Sequence, residues 1–207
     1  MRKRITRDVD ELALLDWKRR IFELYAEVRA TEDPEQAWRR WCEVRADLYR
    51  SHPQSPRVGG EPAYFPYEPA LRFEAAVEPA EPLRLEIEGS AGSKTRFDRF
   101  GIARFGDATL DLYWLAAYGG GIFCPFRDRP SGRETYGAGR YLLDTVKGAD
   151  LGGRDGSLVL DFNFSFNPSC AWTDHWACPL APQANWLALR IEAGELTPPA
   201  APAPGTP

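Results

Sequence analysis

Apolar residues recur every three or four positions up to about Ser51, and every second position from Leu71 onward. A chain whose period switches once in this way is expected to fold as helix first and sheet second. Leu14, Trp17, Ile21, Leu24 and Val28 form one stripe on a helix running from about Asp8 to Ala30. Asp33-Pro34-Glu35-Gln36 then supplies an N-cap, a proline in the first turn and a glutamine placed for a capping box. The second helix carries Ala37, Trp41, Val44 and Leu48 on one face and ends near Ser51. The link between the helices is short, so an antiparallel hairpin is expected. Its apolar stripe has two candidate covers, the rest of its own chain or a second copy.

His52 to Pro69 is rich in Pro and Gly, has no period, and reads as a connector. Alternation then marks strands at 71–77, 83–87, 95–105, 109–115, 121–126, 140–146, 157–164 and 187–192. About eight short strands without intervening helices predict an antiparallel sandwich or barrel. Alternation along a strand is the same in both, so the pattern does not separate them. The expected fold is mainly β (α+β): a helical hairpin over 1–56, a β-domain over 57–196 and a Pro-rich tail over 197–207. That tail, TPPAAPAPGTP, is expected to be flexible with polyproline II character.

Composition removes several classes. The 207 residues carry 26 basic and 30 acidic side chains, a net charge of −4, which offers no broad electrostatic footprint for nucleic acid. No apolar run is long enough for a membrane helix. Met1-Arg2-Lys3-Arg4 is followed by Asp8, Asp10 and Glu11 rather than by an apolar signal region, so a cytoplasmic location is expected. Four scattered cysteines are too few for a secreted disulfide framework. Gly119-Gly120-Gly121 and Gly137-Ala138-Gly139 both run into strand-like sequence. A phosphate loop needs a helix N-terminus at that place, so these glycines read as turns or bulges, and no cofactor is expected.

The chemistry-bearing residues lie mostly in the second half. Cys170, His175 and Cys178 would be three of the four ligands of a zinc site, a minor reading because the spacing matches no common finger. A loop-closing disulfide and two buried reduced thiols are the other readings of the cysteine pair. With only two histidines and no Gly-x-Ser-x-Gly elbow, hydrolase triads are disfavoured, and His52 reads as a structural residue at a helix end. In Asp161-Phe162-Asn163-Phe164 the polar and aromatic residues alternate as in a strand. Asn167, Asn185, Glu195, Arg127, Asp128 and Arg140 complete a polar set suited to a small anionic ligand. The rival reading has Asn and Asp capping turns, with Arg140 paired to Asp161 in the interior.

The motifs also resemble a known family. They are Arg45-Ala46-Asp47-Leu48 with His52-Pro53-Gln54-Ser55-Pro56, Phe123-Cys124-Pro125-Phe126-Arg127-Asp128, and Glu134 to Leu142. Asp161-Phe162-Asn163, Asn167-Pro168, Cys170, Cys178-Pro179, Asn185 and Ile191 to Glu195 continue the series. In this order they resemble the bacterial family catalogued as domain of unknown function 1684. The resemblance implies no established activity. It implies only that Tyr136, Arg140, Asp161, Asn163, Asn167, Cys170, Cys178, Asn185 and Glu195 occupy family-pattern positions. Pro130 stands where the pattern has threonine. Ala181 and Ala184 replace a proline–glutamate context, so no carboxylate just before Asn185 is expected to act.

The expected function is therefore binding of a small anionic molecule. Tyr136, Arg140, Asn163, Asn167 and Asn185 would hold the ligand, and Asp161 with Glu195 would serve as an acid/base pair if there is catalysis. The alternative is an interaction protein whose hairpin makes a homodimer and whose polar cluster only stabilises the fold.

Overall fold

The computed structural model describes residues 10–174 and 176–199. The charged N-terminal start, His175 and residues 200–207 of the Pro-rich tail lie outside the described residues. Helix α1 (Glu11–Ala30) begins at Asp10, whose carboxylate accepts from the Leu12 and Ala13 amides. Helix α2 (Pro34–Ser51) begins at Asp33, which accepts from the Glu35 and Gln36 amides. Both caps satisfy N–H groups that a helix leaves without an internal partner. Asp33→Ala is expected to lower stability by about 1 kcal/mol, read as a shifted urea midpoint with an unchanged slope.

The sheet has six antiparallel strands in the order β5-β4-β3-β2-β1-β6 and curls into a half-barrel. They are β1 (Arg72–Glu88), β2 (Lys94–Phe105), β3 (Ala108–Leu115), β4 (Ile122–Phe126), β5 (Arg140–Asp144) and β6 (Ser157–Asp161). Eight strands were expected, and two departures account for the difference. The candidates at 71–77 and 83–87 are one long strand, irregular between Pro79 and Leu83, where prolines interrupt ladder bonding. Its first part pairs with β6 and the remainder with β2. The candidate at 187–192 is irregular chain held by other means. No second sheet faces the first among the described residues, so the sandwich reading is not met.

The glycine clusters are turns. Gly119, Gly120 and Gly121 join β3 to β4 with positive φ. Gly139 enters β5 at φ 98°, and a Cβ there would collide with the Phe126 carbonyl oxygen.

The hairpin is not a free appendage. Ile21, Leu24, Tyr25, Val28, Ala37, Trp41 and Leu48 are buried in one cluster with Ala103, Leu110, Leu142, Phe162 and Phe164 of the β-domain. From Ile21 to Leu48 the stripe thus packs on its own chain, while Leu14 at its start stays exposed. Leu12, Leu15 and Phe22 are the apolar residues that α1 leaves most exposed. A smaller cluster of Ile87, Phe97, Tyr113, Phe123, Tyr141, Cys170 and Cys178 fills the other end of the sheet. Among the described residues no helix is long and apolar enough to cross a membrane.

Candidate functional site

Asp128, Arg140, Asp161, Asn163, Asn167, Asn185 and Glu195 are buried and Arg127 and Tyr136 half-buried, but they do not form one site. Arg140, at the start of β5, is 1% exposed. Its Nη2 donates to Asp128 Oδ2 (3.0 Å) and to the Ile191 carbonyl (3.1 Å), and its Nη1 donates to the carbonyls of Ala193 and Glu195. Asp128 is held in turn by the hydroxyls of Ser131 and Thr135, both at 2.9 Å. Arg140 therefore clamps the chain's own C-terminal segment rather than an external anion. Its carboxylate is Asp128, not Asp161. Burial lowers the guanidinium pKa, which the neighbouring Asp128 and Glu195 oppose.

Asn163 and Asn185 do comparable structural work. Asn163 accepts from the Glu68 amide at 2.8 Å and donates to the Glu68 carbonyl at 3.0 Å. Asn185 treats Asp111 in the same way, at 2.8 and 3.0 Å, and also donates to the Pro125 carbonyl. Each carboxamide thus imitates one rung of a β-ladder. It satisfies a backbone pair where strand pairing has ended.

Glu195 is fully buried against α2. Its Oε1 accepts from Arg45 Nε (2.9 Å) and Nη2 (2.5 Å), and its Oε2 accepts from the Asn167 amide (2.7 Å). The Arg45 guanidinium also lies over the rings of Trp41, Tyr49 and Phe166 at 4.9–5.2 Å. Asn167 donates to the Leu196 carbonyl at 2.7 Å, while its Oδ1 has no partner among the described residues. Tyr136 lies in the smaller cluster, its hydroxyl 3.9 Å from Cys170 Sγ.

Asp161 has a different setting. It closes β6 and caps a 3₁₀ turn over Phe162–Phe164, so Asp161 and Asn163 meet by capping and not by the strand alternation expected. Its Oδ1 accepts from the Asn163 amide (3.0 Å) and carboxamide (2.8 Å), and its Oδ2 lies 3.8 Å from Arg72. Asp161 also lines a cleft of about 300 Å³ between the turn of the helical hairpin and the β1–β6 edge. The charged residues facing that cleft are Arg29, Arg72, Arg154, Glu32, Glu74 and Asp161. Burial raises the Asp161 carboxyl to about 6, against the lowering by Asn163 and Arg72. Glu195 does not line this cleft, so the two carboxylates do not face a common ligand position.

The minor zinc reading needs His175, which lies outside the described residues. Among the described residues no group of three or more His, Cys, Asp or Glu is placed to hold a metal ion. His52 caps the end of α2, accepting from the Gln54 amide on Nδ1. That leaves Nε2 as the donor to Asp16 at 3.1 Å, which lowers the Asp16 pKa. Sequence reasoning did not single out Arg45, Arg72 or Tyr49 for a site. The available signal was Arg45 itself, an arginine four residues from both Trp41 and Tyr49 on the buried face of α2.

A search of curated proteins finds no match. Among solved structures, the solution NMR structure of an uncharacterised protein from Haloarcula marismortui is similar, with 30% identity and a TM-score of 0.56. The match covers 82% of this chain and 97% of that one. A family model described as "Protein of unknown function (DUF1684)" matches residues 61–196. The half-barrel with its clamped C-terminal segment is thus the part that the family model spans, and this chain belongs to the DUF1684 family.

Proposed function

We propose that the protein binds a small organic anion in the cleft between the hairpin turn and the β1–β6 edge. The observation that carries this reading is Asp161, a carboxyl 1% exposed, in a cleft that Arg29, Arg72 and Arg154 also line. A volume near 300 Å³ sits at the lower end of what small-molecule sites use. Arg72 and Arg154 are the guanidiniums suited to an anionic group, since Arg29 is already engaged with Asp150. Asp161, when protonated, offers a neutral donor beside that group. When ionised it opposes the ligand.

Two pH effects follow, with the same sign. The folded carboxyl is raised above its unfolded value, so its contribution to stability is complete below about 3.8 and is lost as pH rises through about 6. Anion binding should weaken over the same window, because ionised Asp161 repels the ligand. The test is a thermal-shift and calorimetric panel of small sulfonates and carboxylates, which are themselves ionised above about pH 5. Binding is expected to weaken as pH rises through about 6 in the wild type but not in Asp161→Asn. Arg72→Ala is expected to weaken binding about tenfold. No stabilising anion in the panel, or a pH dependence that survives in Asp161→Asn, would overturn the reading.

A further inference from the structure

A second cavity, of about 70 Å³, lies between the helical hairpin and the β5 end of the sheet. None of its lining residues belongs to the anion cleft. Lys147 is exposed whereas the rest of the lining is buried or half-buried, so the cavity opens beside it. Two lining side chains keep a polar atom that the fold does not satisfy. Tyr25 is 1% exposed, and its hydroxyl has no hydrogen-bond partner among the described residues. Asn167 is 2% exposed; its Nδ2 donates to the Leu196 carbonyl, and its Oδ1 is equally without a partner. Arg45 adds a third incomplete group. Its bonds to Glu195 and Tyr49 use Nε and Nη2, and Nη1 makes none among the described residues. A buried polar atom left unpaired costs free energy, so three such groups around one cavity call for a common explanation.

We infer that this cavity binds a small neutral primary amide of about four non-hydrogen atoms. Neutrality follows from the charges already there. Arg45 is paired with Glu195, and Lys147 with Asp144 at 3.4 Å. An ionic ligand would bring a charge with no counterpart into a place that water scarcely reaches.

The unsatisfied groups select the amide. Arg45 Nη1 is a donor only. Burial holds the Tyr25 phenol above its ordinary value, which keeps its proton in place to donate. Asn167 Oδ1 is an acceptor only. A primary amide is the complement: its carbonyl takes the two donors, and its NH2 group serves the acceptor. A ketone has no proton for Asn167, and a carboxylate has both the wrong charge and no proton. Size follows from the volume. An apolar cavity of about 150 Å³ holds benzene, so one of about 70 Å³ suits roughly three to five non-hydrogen atoms. The rings of Trp17, Tyr141 and Phe166 supply flat walls for a planar group.

The experiment titrates the full-length chain with acetamide, followed by saturation-transfer NMR and calorimetry. A ligand of this size binds no tighter than roughly tens of micromolar, so saturation at about 0.1–10 mM is expected. Acetone and acetate should bind at least about tenfold more weakly. In Tyr25→Phe, acetamide should bind about tenfold more weakly while the urea midpoint stays the same or rises, because the hydroxyl removed has no partner in the fold. A phenol that braced the fold would lower the midpoint on removal, and that result would overturn the inference. Absence of saturable acetamide binding to the wild type would overturn it, as would 2-propanol or acetate binding equally well. Acetamide binding that Tyr25→Phe leaves intact, or that Arg72→Ala abolishes, would place the amide elsewhere and overturn it too. A protein that binds acetamide but no anion of the earlier panel would keep this inference and lose the anion reading, so the two fail separately.

Discussion

Arg45→Met should destabilise the protein by about 3–5 kcal/mol, among the largest single-residue effects available in this fold. Glu195 is fully buried and receives two guanidinium hydrogen bonds from Arg45 and one backbone amide bond from Asn167. Without the guanidinium, a carboxylate remains where water does not reach and where one neutral donor cannot balance its charge. The aromatic faces of Trp41, Tyr49 and Phe166 also lose the cation they surround. The companion experiment is the double variant Arg45→Met with Glu195→Leu. Removing both charges eliminates the uncompensated carboxylate, so much of the loss should return, giving a coupling energy well above about 1 kcal/mol. Urea denaturation of the four proteins measures it. A single variant that loses less than about 1 kcal/mol would show that the pair is not the buried bond described above.

The second large effect is at Arg140. Arg140→Met should cost a similar amount, about 3–5 kcal/mol, because it strands Asp128 Oδ2 and frees three carbonyls at once. The Ser131 and Thr135 hydroxyls still hold Asp128 Oδ1, which limits the loss. Arg140→Lys keeps the charge but has no planar fork to span Ile191, Ala193 and Glu195, so it should recover less than half of the difference. Hydrogen exchange offers a local readout: the Glu195 amide, bonded to the Ser165 carbonyl at 2.9 Å, should exchange faster in both variants. An arginine that served a ligand alone would leave stability and exchange unchanged when removed.

The sequence made some of this legible and hid the rest for identifiable reasons. Helix positions followed from apolar spacing and from Asp33 before Pro34, because caps and stripes are local devices. The first helix is capped by Asp10, two residues after the start expected near Asp8, a difference within the ordinary scatter of helix boundaries. The strands from β2 to β5 fall within a few residues of their alternation patterns. The merger of two candidates into β1 was not legible, since Pro79 and Pro82 look the same in a turn and in an irregular edge.

At the polar cluster, composition marked Arg140, Asp161, Asn163, Asn167, Asn185 and Glu195 as one set, and all of them are buried. It could not supply their partners, because those lie far along the chain. Asn163 is 95 residues from Glu68, and Glu195 is 150 residues from Arg45. Arg45 went unnoticed as a partner because a single charge within a helical stripe reads as a solvated position. Only the fold brings it under Glu195.

The Arg45–Glu195 bond also bears on where this protein can be divided. The family match begins at residue 61, which would invite treating what precedes it as an optional module that relatives acquire or discard. Yet one end of a fully interior charge pair lies before that boundary and the other end lies one residue inside the last matched position. A chain cut after Pro56 would keep Glu195 and lose the cation that makes its burial tolerable, along with Trp41 and Leu48 from the core. The segment that the family model spans is therefore smaller than the segment that physics requires. In this chain the cation that balances Glu195 comes from the helices that precede that boundary.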